Sequence, residues 1–226
     1  MSVTIRLPND TQRIAILGRT GSGKTLAGIW HLSQRNLDAR PWVIYDFKHD
    51  DHLEKLEWLP NVREVGLDFI PKKKDRGIYI VRPFPDDGDE VEEQMMRLWE
   101  RGNVGMYIDE GYMVERSNKA HNAILTQGRS RRIPVIELSQ RPVEISRFIW
   151  SESDFFQVFD LTHADDRKTV GLFVPGLEKE WALQDWHSYY YDVAKKRLVH
   201  LKPVPNEGEL LGLLLAKLDQ RKRVTI

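Results

Sequence analysis

ILGRTGSGKT, residues 16–25, opens on two apolar residues, closes on Lys24-Thr25, and carries Gly18, Gly21 and Gly23 between them. Gly18-Arg19-Thr20-Gly21-Ser22-Gly23-Lys24-Thr25 has the P-loop spacing: glycine, four residues, then glycine, lysine and a hydroxyl. Glycines let the backbone curl so that successive N–H groups point at phosphate oxygens, and the start of the following helix adds partial positive charge. In such a loop Lys24 meets the β- and γ-phosphates of ATP and the Thr25 hydroxyl ligates Mg²⁺. Residues Gly18 through Thr25, with Leu26 next in line, are the expected nucleotide-binding set. An apolar run, RIAIL (13–17), precedes the loop and a helix-forming stretch follows, as the motif requires.

Working outward, apolar runs rich in Val, Ile and Tyr alternate with helical stretches, the pattern of βαβ units around a parallel sheet. Strands are predicted at 13–17, 42–46, 77–81, 104–109, 133–138 and 155–160, and helices at 24–35, 89–100, 117–130 and 164–171. FPDDGDE (84–90) reads as a loop. From about 185 the pattern changes to two strands joined by a short polar turn and then a helix over about 207–221, a C-terminal hairpin and closing helix. The expectation is an α/β fold in one domain, 1–226, with its main body over about 12–172.

Lys plus Arg equals Asp plus Glu at 34 each, so no global positive field marks a nucleic-acid partner, and any such contact must be local. The chain has no cysteine, which excludes disulfides, a thiolate nucleophile and Cys-based zinc sites. MSVTIRLPND lacks an apolar signal core, and the run LLGLLLA is far shorter than the ~20 residues of a membrane-spanning helix.

A P-loop enzyme needs a carboxylate for magnesium from the end of a neighbouring buried strand. VGMYIDEGY (104–112) supplies it. Asp109 would hold Mg²⁺ through water, and Glu110 is the natural base for an attacking water. An acidic pair of this kind points to hydrolysis, because a water-activating Glu in a small-molecule kinase would waste ATP.

The P-loop, YDFKHD after the second strand, YIDEGY after the fourth and VIELSQRP on the fifth together resemble the FtsK–HerA superfamily of ring-forming, DNA-translocating ATPases, over roughly residues 12–172. The resemblance implies a P-loop NTPase of the additional-strand, RecA-like type. It matches Asp46 and Lys48 to an acidic residue followed by Lys, and Ser139-Gln140 to a polar sensor that contacts the γ-phosphate or attacking water. It also implies a trans-acting arginine finger, for which Arg129 is first choice and Arg131, Arg132 and Arg167 are rivals. The modest length resembles the genome-packaging ATPases of tectivirus-like icosahedral viruses with an internal membrane. That implies ATP and Mg²⁺ as ligands, sequence-independent grip on double-stranded DNA, a homo-oligomeric ring expected to be a hexamer, capsid or portal-vertex partners, and a location at the packaging vertex of the virion and in the host cytoplasm. Alternatives are a filamentous-phage-type morphogenesis or DNA-transfer ATPase, a P-loop nucleotide or small-molecule kinase, and a non-catalytic ATP switch.

Weaker signals remain. IPKKKDRG (70–77) could grip a DNA backbone or be a solvated loop, and DQRKRVTI (219–226) is a basic cluster that could bind DNA or a docking partner or be a frayed terminus. HDDH (49–52) has metal-capable side chains but no further ligand set, and is assigned no site. Glu137 sits on a strand that should be buried, without an evident partner. The aromatics of WALQDWHSYYYDV (181–193) read as core and edge-strand packing rather than as a base-stacking platform.

Overall fold

The computed structural model describes residues 5–177 and 183–219. Nine strands form one sheet: β1 (Ile14–Leu17), β2 (Trp42–Asp46), β3 (Val62–Glu64), β4 (Ile78–Val81), β5 (Gly105–Asp109), β6 (Val135–Ser139), β7 (Phe155–Val158), β8 (Ser188–Asp192) and β9 (Arg197–Leu201). Their order is β3-β4-β2-β5-β6-β1-β7-β8-β9. The first seven are parallel to one another, and β8 and β9 add an antiparallel edge. The helices are α1 (Lys24–Ser33), α2 (Asp51–Glu54), α3 (Gly88–Arg101), α4 (Lys119–Gln127), α5 (Arg147–Glu152), α6 (Ala164–Phe173) and α7 (Glu207–Asp219).

Both faces of the sheet are covered, which is why the central strands read as unbroken apolar runs. The two-residue side-chain period divides each strand between two cores. Ile14 and Ile16 of β1 join Ala27, Ile29 and Leu32 of α1 and Leu210, Leu214 and Leu218 of α7 on one face. Ala15 and Leu17 join Val91, Met95 and Leu98 of α3, Ile124 of α4 and Val170 of α6 on the other.

The elements expected from sequence are present, with shifts at their ends. α3 begins at Gly88, inside the stretch read as a loop, and places Asp89 and Glu90 in its first turn, where negative charge suits the helix dipole. β3, α2 and α5 were not expected: β3 is a three-residue edge strand with two exposed positions, and α2 and α5 are four and six residues long, all too short for a periodic signal. Residues 220–226, with the basic tail and the end of the expected closing helix, lie outside the described residues, as do Trp181 and Ala182 of the aromatic stretch. Among the described residues no helix is long and apolar enough to cross a membrane.

At Gly105 the sheet admits no side chain. A β-carbon there would fall 2.2–2.6 Å from ring atoms of Trp42, which is 1% exposed. Gly105→Ala is expected to cost about 1–3 kcal/mol through overpacking, read as a lower urea midpoint with an unchanged slope.

Candidate active site

The P-loop is pinned at the carboxyl rim of the sheet. The Gly18 amide donates to Ser139 O at 3.2 Å and the Arg19 amide to Asp160 O at 2.9 Å, tying the loop to the ends of β6 and β7. Gly21 (φ 75) and Gly23 (φ 97) occupy the left-handed region, where a side chain is strained, so the curl needs glycine at both. The Ser22 hydroxyl is buried with no hydrogen-bond partner among the described residues. A buried polar group left so is costly, and a phosphate oxygen in the cradle would satisfy it. Burial lowers the Lys24 amine below its usual range, with Glu110 and Asp109 opposing the shift.

Strand order brings the acidic pair to this loop. β6 lies between β1 and β5, so Asp109, Glu110 and Gln140 end on adjacent strands at the same rim. Glu110 itself has φ 57, a left-handed conformation uncommon outside glycine. Its Oε1 accepts from Lys48 Nζ at 2.8 Å and lies 3.9 Å from Lys24 Nζ, and its Oε2 accepts from the Gln140 amide at 3.1 Å. The Gln140 side chain donates to the Tyr112 hydroxyl at 3.1 Å, and its Oε1 accepts from the Thr20 hydroxyl. P-loop, base candidate and sensor candidate are therefore joined by direct hydrogen bonds.

The magnesium that a P-loop implies can be tested against these side chains. Burial, then the charges of Glu110, Asp50 and Asp46, push the Asp109 carboxyl up to about 8, with Lys24 opposing. A divalent cation beside it would relieve that repulsion. Oxygen donors suit a hard cation, and Mg²⁺ characteristically keeps water and phosphate ligands rather than a full protein cage. Among the described residues no group of three or more His, Asp or Glu side chains is arranged to hold a metal by itself. The residues fit the ion.

Asp50 is the site residue that sequence reasoning missed. It came from the HDDH stretch assigned no site. Its Oδ2 accepts from Thr25 Oγ1 at 3.2 Å, its Oδ1 accepts from the His52 amide at 2.9 Å as the cap of α2, and its own amide donates to Asp46 Oδ1 at 3.0 Å. No local signal distinguishes it from Asp51. Asp46 is fully buried and paired with Arg82 at 3.1 Å, so it braces the end of β2. Glu137, unexplained by sequence, meets His121 Nε2 of α4 at 2.9 Å, with both side chains buried. Its carboxylate lies directly against Gly111, where a β-carbon would fall 2.1 Å from Oε1.

The arginines stand apart. Arg129 lies at the amino rim, opposite the P-loop, with Nη2 2.5 Å from Asp154 Oδ1 and a side chain 58% exposed. Arg131 stacks on Trp99, 3.7 Å from the ring centroid. Arg132 has φ 56, and its carbonyl accepts from Arg40. Arg167 lies nearer the P-loop, donating to Leu161 O and 3.5 Å from Asp160. The 70–77 loop is built rather than loose: Arg76 donates to Asp38 O at 2.6 Å and Arg101 Nε to Pro71 O at 2.8 Å, while Lys72, Lys73 and Lys74 stay exposed.

No protein-family model matches the chain. It is 46% identical to the DNA packaging ATPase P9 of Enterobacteria phage PRD1, with 93% of this chain and 95% of that protein covered. Among solved structures it is similar to the genome packaging NTPase B204 of Sulfolobus turreted icosahedral virus 2 in complex with ATP-γ-S, at a TM-score of 0.67 and 18% identity, covering 88% of this chain and 100% of that one. It is also similar to the cytoplasmic domain of the Thermomonospora curvata type VII secretion ATPase EccC, at a TM-score of 0.61 and 16% identity, covering 93% of this chain and 28% of that one. These two likenesses establish a P-loop ATPase fold, and the extent and identity of the match to P9 establish more: the chain belongs to the family of viral DNA packaging ATPases.

Proposed function

We propose that this protein is the ATPase of a viral genome-packaging motor, hydrolysing ATP to drive double-stranded DNA into a preformed procapsid. The observation that carries the reading is the convergence of Lys24, Glu110 and Gln140 on one P-loop in a chain 46% identical to a packaging ATPase.

In this reading the amides of residues 18–26 and Lys24 bind and orient the triphosphate. Thr25 and Asp109 would hold Mg²⁺, which supplies charge neutralisation along the phosphates when bound. Glu110 takes the proton of the attacking water, and Gln140 senses the γ-phosphate or positions that water. Lys48 holds the Glu110 carboxylate at 2.8 Å, which fixes its direction before the reaction. Arg129 is our candidate for a cation supplied to a neighbouring subunit, since it is exposed and its tie to Asp154 can be exchanged. Arg131, Arg132 and Arg167 are its rivals.

A finger in trans requires a homo-oligomer, and a hexameric ring is the proposed assembly, docked on capsid or portal-vertex proteins. The protein would then work in the host cytoplasm and remain at the packaging vertex of the virion. The whole of 1–226 is taken as one ATPase domain, in which the hairpin β8–β9 and α7 extend the sheet and cover α1.

The test is steady-state ATP turnover with and without linear double-stranded DNA, alongside the mass in solution. DNA-stimulated hydrolysis by an oligomer of one sequence across unrelated DNA sequences is expected. Phosphate transfer to a small acceptor with no DNA effect would favour a kinase and overturn the proposal.

A further inference from the structure

The P-loop accounts for the phosphates of a nucleotide, and nothing described above receives its base. Strand order says where the base emerges. Asp109, Glu110 and Gln140 stand at the ends of β5 and β6, to one side of β1. With the γ end of the triphosphate facing them, the rest of the nucleotide crosses the start of α1 toward β7 and β8 on the other side.

Trp186 stands there. It lies two residues before β8, which runs antiparallel to β7 with Tyr189 opposite Val158, so the segment arrives at the rim that carries the P-loop. A β-carbon placed on Gly23 would lie 3.4 Å from Trp186 Cδ1 and 3.9 Å from its Cβ. The indole stands beside the last glycine of the phosphate loop, within van der Waals reach of a side chain placed there.

Two further features set this residue apart. It is 60% exposed, whereas Tyr189, Tyr190 and Tyr191, next along the same segment, are buried. Tryptophan ordinarily buries a large apolar area, so exposure here leaves an unused aromatic face. Its φ is 60, a genuine outlier for a bulky residue. Strain of this kind gathers at ligand clamps, and a turn in which the His187 amide donates to Gln184 O at 3.1 Å holds it in place. The expectation that the aromatics of this stretch serve packing holds for the tyrosines and not for Trp186.

We propose that Trp186 is the platform on which the base of the P-loop-bound nucleoside triphosphate stacks. This rests on the reading of the P-loop as a nucleotide site. Stacking needs only the π-face that every base presents, so the platform contributes affinity and places the base without reading its edge. It also connects the antiparallel extension of the sheet to the nucleotide, because β8 and its turn carry the residue.

The experiment measures binding of ATP and of inorganic tripolyphosphate, each with Mg²⁺, to the full chain and to W186A and W186F. Trp186→Ala is expected to weaken ATP about five- to thirtyfold, within the range base–aromatic stacking supplies, and to leave tripolyphosphate unchanged. Trp186→Phe is expected to keep most of the ATP affinity. The platform is overturned if W186A weakens both probes by one factor, if it weakens neither, or if W186F is as weak as W186A. Failure of the unaltered chain to bind either probe would instead overturn the nucleotide reading beneath it.

Discussion

Glu110→Gln is expected to leave ATP binding intact and lower turnover by about two to four orders of magnitude, the contribution of a positioned general base. The amide keeps the size and one acceptor oxygen of the carboxylate but cannot take a proton from water. The surrounding contacts argue that the loss is chemical rather than structural. Glu110 directly follows a strand whose core residues Met106, Tyr107 and Ile108 are fully buried and unaffected by the change. The Gln140 amide still finds an oxygen acceptor, and Lys48, partly exposed, can turn to solvent. Single-turnover hydrolysis and equilibrium binding of ATP, measured on the same preparation, separate the two quantities. Full-rate hydrolysis by the variant would mean that another group activates the water.

His121→Ala is expected to be the most damaging change to stability, at about 3–5 kcal/mol, because it strands the buried Glu137 carboxylate without a partner. The two side chains are 1% and 2% exposed and 2.9 Å apart. Replacing both by apolar residues of similar volume should recover most of the loss, since a buried pair is often no better than hydrophobic packing. Urea unfolding of the two single variants and the double variant measures the coupling. The result bears on function because Glu137 packs directly under Gly111, the residue after Glu110. A stranded Glu137 drawing in water would disturb the floor on which Glu110 rests. Equal losses from His121→Ala alone and from the double replacement would show that the pair carries no special weight.

The P-loop, the parallel α/β architecture and the position of Asp109-Glu110 at the end of a buried strand could all be read from the chain without coordinates. Each is a local property: a curl that needs glycine at 21 and 23, apolar runs long enough to be buried on both faces, a change of polarity at the carboxyl end of a strand. The short elements β3, α2 and α5 escaped because three, four and six residues are too few to establish a period.

The site itself is made of contacts that no local pattern encodes. Lys48 reaches Glu110 across 62 residues, Asp50 reaches Thr25 across 25, and His121 finds Glu137 across 16. Trp186 meets Gly23 only because β8 turns back beside β7. The contacts of Lys48 and Trp186 follow from the order in which strands enter the sheet, with β2 beside β5 and the hairpin beside β7 at the far edge. Periodicity fixes which face of a strand is buried but carries no record of which strand lies beside it. That choice is made by packing of the whole chain.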